Sequence, residues 1–289
     1  MYYDEDELLD LRLNILDEYV DKFIITESKF THSGKVKNKN FRIENFNKFQ
    51  KKIEYFYIEN EPKNLKKVQD EDSEEELNNK KIYNGLLRDN YQRECLSQGI
   101  KKLNNEDIII LSDLDEIPNL EDVNFKNIKK DILLFEQKMF YYKLNLLYPR
   151  LLWYGTKACR KKSFFSPQWL RNIKAKKYPL WRIDTLFSKK KYSNIQIIKN
   201  GGWHFTNMKN PKNLHKKMKE FAHHPEYEET QYSEKDMEKF IKNKLVFYDH
   251  FSDKNKNRFD SKNKLEKAGE NVLPKYLEKN LKKYKSWID

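Results

Sequence analysis

The chain has 289 residues, of which 36% are charged and 14% aromatic, and its formal net charge is +13. That length suits one α/β enzyme domain with a helical extension. The aromatic fraction excludes a disordered chain, which lacks the apolar groups needed to offset ordering entropy. The charge alone does not make a nucleic-acid binder. Lysines are spread along the chain, the acidic run Asp70–Glu76 interrupts them, and no finger, RNP or helix-turn-helix signature is present.

Residues 6–18, DELLDLRLNILDE, set Leu8, Leu9, Leu11, Ile15 and Leu16 at helical spacing. Tyr19–Glu27 follows with the apolar, β-rich centre of a buried strand. Beyond the loop SKFTHSGK, the segment KKIEYFYIE (51–59) alternates as a strand and is expected to pair with the first. Residues 78–103 read as one long helix with Ile82, Leu86, Leu96, Ile100 and Leu103 on or near one face. Asp107–Ser112 is the clearest strand, and it runs into Asp113-Leu114-Asp115-Glu116-Ile117-Pro118, where Pro118 ends a strand or opens a helix.

Further strands are expected at 131–136, 138–147 and 194–198, helices over most of 208–245, and a helical, solvated, lysine-rich tail from 254. Helix–strand alternation points to an α/β, Rossmann-like fold around a central parallel sheet. Its core would span 1–207, with a mainly helical extension, 208–289, packed on the same domain. Ligands in such folds bind beyond the carboxyl ends of the strands, where Asp113 and Asp115 fall.

Two carboxylates two residues apart at a strand end converge on one hard cation. Mn²⁺ or Mg²⁺ held this way completes its shell with water and substrate phosphates. His204, in Gly201-Gly202-Trp203-His204-Phe205 after the strand at 194–198, is the candidate third ligand. Cys95 and Cys159 lack metal-binding spacing and read as reduced fillers. The opening MYYDEDELLDLRL has no apolar leader core, and no stretch approaches the roughly 20 apolar residues of a membrane span. A cytoplasmic setting, or peripheral contact with a membrane, is the expectation.

The opening DEDELLDLRLNILDEYVDKFIITESKFTHSGK, the helix motif RDNYQRE, the acidic DLDEIP, the block GGWHF and the later PKYLEKN arrive in a recognisable order. Together they resemble glycosyltransferase family 17, the β-1,4-mannosyl-glycoprotein β-1,4-N-acetylglucosaminyltransferases with their bacterial and viral relatives. The resemblance implies a GT-A-like nucleotide-sugar-binding fold, a UDP-sugar donor (UDP-GlcNAc in the named enzymes), inversion at the anomeric carbon and a glycan acceptor. Asp113 and Asp115 match the family's metal motif, and His204 its Trp-His position. Asp115 and His204 are then the expected direct ligands, with Asp113 nearer the ribose or a metal-bound water. GGWH is followed here by FTNM, without the cysteine of the animal enzymes.

Within that frame Glu27, Lys35, Arg88 and Arg93 are candidates for nucleotide contacts, an arginine fork suiting phosphate oxygens. Lys217 and His223 are candidates for closing over the diphosphate. Trp153 and Trp169 are candidates for packing the acceptor sugar. Asp184 and Glu116 are the available general bases for the attacking hydroxyl. A surface salt bridge is the competing role for each nucleotide candidate, and orientation of the loop for Glu116. A dehalogenase-type phosphatase also carries DxD after an apolar strand, but it expects a threonine and a glycine where Glu116-Ile117-Pro118 stand.

Overall fold

Leucines spaced along Asp6–Leu16 form helix α1, which buries Leu8, Leu9, Leu11, Leu13 and Leu16. The computed structural model describes residues 1–176, 188, 191–192, 194–249, 258–259 and 263–289. Strand β1 (Phe23–Ser28) pairs in parallel with β2 (Ile53–Ile58), as their sequences predict. Parallel neighbours need a crossover, and residues 29–52 supply it, including a 3-10 segment at Ile43–Phe49.

Helix α2 (Glu74–Glu94) starts earlier than its apolar spacing indicates. Ser73 and Glu76 form a reciprocal capping box, with the Ser73 amide 3.0 Å from Glu76 Oε2. It also ends earlier, passing into a 3-10 segment, Cys95–Ile100, that buries Leu96 and Ile100. Strand β3 (Ile108–Leu111) leads through the acidic turn into the short β4 (Glu116–Pro118).

Beyond β5 (Ile132–Phe135), the single strand expected at 138–147 is two: β6 (Gln137–Tyr141) and β7 (Leu146–Trp153). The chain reverses at Tyr142, whose φ is 65°. No glycine or proline announces that turn, and its apolar residues continue the strand pattern because they face the core on both sides of it. Strand β8 (Lys157–Arg160), helix α3 (Pro167–Asn172), β9 (Ile195–Ile198) and β10 (Gly202–Thr206) follow.

The α/β class holds, but the strands do not build one central parallel sheet. Among the described residues they form β1-β2, a sheet in the order β3-β8-β5-β9, and a sheet in which β10 lies between β6 and β4. Parallel pairs β5·β9 and β6·β10 alternate with antiparallel ones, because short reversals such as β6–β7 return the chain directly to its neighbour.

Helices α4 (Pro211–Met218), α5 (His224–Glu229) and α6 (Glu234–Lys242) pack Leu214, Met218, Tyr227 and Met237 against Tyr141 and Tyr142. The tail differs from the solvated helix expected of it. Strand β11 (Glu266–Lys267) pairs with β7, and α7 (Lys275–Lys279) is a single short helix. Leu273, Leu277 and Tyr284 are buried in the cluster that contains α1. Lysines between these apolar residues mask a docking surface. Among the described residues no helix is long and apolar enough to cross a membrane.

Gly202 sets the approach of β10 to β4. Its φ is +129°, and a Cβ there would lie 2.2 Å from the Ile117 carbonyl oxygen. Only that closeness lets Trp203 and His204 register opposite Ile117 and Glu116. Gly202→Ala combines backbone strain with overpacking and is expected to cost about 3 kcal/mol. Thermal melting should then show Tm lowered by roughly 5–10 °C; an unchanged Tm would refute the constraint.

Candidate active site

Arg12 is the one cation among the leucines of α1, and it is drawn under the acidic turn. Its guanidinium donates to the carbonyls of Asp113 (3.0 Å) and Glu116 (2.7 Å) and to Ser112 Oγ (2.5 Å). Buried carbonyls need such partners, so α1 shapes the turn directly. Burial pushes Arg12 down to about 10, against the pull of Glu116, Asp115 and Asp113. It therefore stays charged at neutral pH.

Glu116 is 1% exposed. Its Oε2 accepts from Arg171 (2.8 Å) and from the Asp113 amide (3.0 Å), and its Oε1 from Trp153 Nε1 (2.6 Å). A Cβ on Gly155 would overlap this carboxyl at 1.8 Å, so the bare backbone there makes its seat. With both oxygens engaged, Glu116 orients the turn and does not face the cleft as a base. The other candidate base, Asp184, lies outside the described residues.

Asp113 is held by Arg171 at 2.8 Å and Arg93 at 3.4 Å. Burial alone would raise its carboxyl, but Arg171 and Arg93 hold it well below the usual range. Arg93 is itself 5% exposed, forks onto Asp89 at 3.0 Å and donates to Gln168 at 2.6 Å. It is thus committed to protein carboxylates, contrary to its expected role on nucleotide phosphate. Lys157 donates to the carbonyls of Arg171 and Ile173 and so fixes the end of α3. Burial, with Arg171 nearby, brings it down to about 7.

Asp115 points elsewhere. Its Oδ2 is 3.4 Å from His204 Nε2, and His204 and Lys217 hold its carboxyl below the ordinary range in spite of burial. His204 is 5% exposed, lies under the Trp153 ring at 5.0 Å, and its Nδ1 has no hydrogen-bond partner. Strand β10 carries Gly202-Trp203-His204-Phe205 and delivers His204 between β6 and β4. Among the described residues no three His, Cys, Asp or Glu side chains converge as a complete metal cage. What fits a cation is the Asp115–His204 pair, an oxygen and an imidazole nitrogen side by side. Asp113, tied to two arginines, is spoken for.

Asp115, but not His204, lines a cavity of about 240 Å³, whose wall also includes Asp113, Glu5, Lys37, Lys209 and Lys217. Of the residues expected there, only Asp113, Asp115 and Lys217 line it. Glu27 closes β1 but is fully buried, accepting from Lys37, the Asn40 and Phe41 amides and Tyr55, so it pins the following loop. Lys35 is exposed, outside the wall. Arg88 bonds Glu61 and the His32 carbonyl beneath Gly34, and His223 pairs with Glu226. Trp153 covers His204, while Trp169 donates to Tyr192 and packs edge-on to Phe164. Neither tryptophan lines the cavity.

Sequence reasoning missed Arg12, Arg171, Glu5, Lys37 and Lys209. Arg12 was findable as a cation interrupting an apolar helix face. Nothing in the spacing marks Arg171, 58 positions from Asp113.

Arg171→Ala strands two carboxylates and is expected to cost about 3–5 kcal/mol in denaturant unfolding, with Arg171→Lys restoring only part because an ammonium lacks the fork. A loss below that of a surface salt bridge would refute the role. Because Asp113 titrates lower folded than unfolded, its contribution is present above the unfolded value of 3.8 and lost as pH falls below it. Asp113→Asn should flatten this acid limb in unfolding measured against pH.

The family model of Glycosyltransferase family 17 matches residues 1–288. The β-1,4-mannosyl-glycoprotein 4-β-N-acetylglucosaminyltransferases of Homo sapiens, Rattus norvegicus and Mus musculus are each 30% identical over 129 residues. That stretch is 42% of this chain and 21% of each relative, so the chain matches about a fifth of their length. No solved structure matches. The chain belongs to glycosyltransferase family 17.

Proposed function

We propose that this enzyme transfers N-acetylglucosamine from UDP-GlcNAc to a hydroxyl of a mannose-bearing glycan, with inversion, in a Mn²⁺-dependent GT-A-type site. The donor sugar and acceptor class follow the relatives' names. The observation that carries the reading is Asp115, 3.4 Å from His204 and lining a cavity walled by Lys37, Lys209 and Lys217. A carboxylate beside an imidazole favours Mn²⁺ over Mg²⁺, which prefers oxygen ligands.

Asp115 and His204 would hold the metal, which when bound supplies Lewis acidity to the leaving diphosphate. The chain's own residues do the rest. Lys217, whose charge reaches both Glu5 and Asp115, adds positive potential beside the diphosphate. Arg12, Arg171 and Glu116 keep the turn rigid, so Asp115 is presented without reorganisation. Lys209, 7% exposed and paired with Asp4, screens the carboxylates of the wall from one another.

UDP-GlcNAc at 100 times its Kd is expected to stabilise the protein by about 2.7 kcal/mol, seen as a raised Tm, only when Mn²⁺ is present. Asp115→Asn and His204→Ala should each abolish the Mn²⁺-dependent part. Asp113→Asn should keep it while lowering the unliganded Tm. Stabilisation independent of Mn²⁺, or undiminished in Asp115→Asn, overturns the reading.

A further inference from the structure

The wall of this cavity continues into a second one. It measures about 270 Å³, just below the roughly 300–1,000 Å³ usual for small-molecule sites. Glu5, Leu8, Met208 and Lys209 line both. Its lining also carries groups suited to a polyol: the carboxylate of Glu7, the amides of Asn210 and Asn213, and the indole of Trp287, while Asp4 is paired with Lys209. Carboxylates and amides hydrogen-bond neighbouring hydroxyls, and a half-buried indole offers a plane to sugar C–H faces.

These groups are held in place. Asn210 caps α4, its Oδ1 accepting from the Asn213 amide at 2.8 Å. Trp287 is anchored by its carbonyl, which accepts from the Leu144 amide at 2.8 Å. Trp153 and Trp169, by contrast, line neither cavity.

Glu5 occupies the boundary. It precedes α1 but does not cap it. Its Oε2 accepts from the Asp4 amide at 3.1 Å, and its Oε1 is 3.6 Å from Lys209 Nζ. The side chain is 17% exposed. Lys209 and Lys217 hold its carboxyl below the ordinary range against burial, so it is an anion at neutral pH.

We propose, resting on the donor reading above, that the second cavity binds the acceptor saccharide and that Glu5 is the general base. The acceptor hydroxyl gives its proton to the Glu5 carboxylate as its oxygen forms the new bond to the anomeric carbon. The bond from that carbon to the diphosphate oxygen breaks, and UDP leaves with the electron pair.

Saturation-transfer NMR with β-mannosyl-chitobiose should show saturation of the sugar by the wild-type chain, lost in Trp287→Ala, with UDP stabilisation in Mn²⁺ unchanged. Glu5→Gln should lower kcat by about 10²–10⁴-fold, the usual worth of a general base, while both KM values are kept. Glu5→Asp should recover part of the rate. No saturation in wild type, or equal saturation in Trp287→Ala, overturns the acceptor site. A Glu5→Gln kcat near wild type, or a wild type that binds sugar and donor yet transfers nothing, overturns the base. Binding of the oligosaccharide without binding of UDP upholds the cavity and refutes the donor reading.

Discussion

Arg171 bridges two carboxylates of one turn, Asp113 at 2.8 Å and Glu116 at 2.8 Å, and the candidate site depends on that fork. Two anions three residues apart would repel in a partly dry setting. A planar cation with parallel N–H groups holds both at once, where an ammonium holds one. The Asp113 amide closes the ring by donating to Glu116. With Asp113 and Glu116 drawn to one side, Asp115 is left to turn toward His204. The DxD spacing thus divides labour: one aspartate secures the turn and the next faces His204.

What was readable in the sequence follows from what is local. The β1–β2 pair, α1, β3 and the placing of Asp113 and Asp115 at a strand end came from short-range pattern, and each is seen. The reversal at Tyr142 was invisible because buried leucines and tyrosines run through it. The role of Arg171 was invisible because a six-residue helix and a turn 58 positions away meet only in the folded chain. Arg88 and Arg93 were singled out as candidates for nucleotide contacts. Their charge, however, serves Glu61, Asp89 and Asp113, the competing role that pattern alone could not choose.

The excess of lysine also resolves into separate uses. Lys37 serves Glu27, Lys209 serves Asp4 and Glu5, and Lys157 serves two backbone carbonyls. These are buried or nearly so, and burial of a cation requires partners. Most other lysines among the described residues are exposed, and single surface ion pairs contribute little. Net charge therefore says less about ligands than the identity of the few lysines around one cavity.

Helix α1 links these features. Its interior residue Arg12 holds the turn that presents Asp115, while Glu5, just before its first turn, forms the partition between the two cavities. The helix is seated in one core cluster by its leucines together with Leu277 and Tyr284, whose hydroxyl donates to Asp10, so its register fixes both sites together. A shift of this helix would move Glu5 and the acidic turn in concert, which preserves their relation. The transfer proposed above needs that relation more than it needs either position alone, because attack requires the reacting atoms to stay within near-contact geometry. The carboxyl-terminal segment, docked through Leu277 and Tyr284, therefore bears on the site through packing.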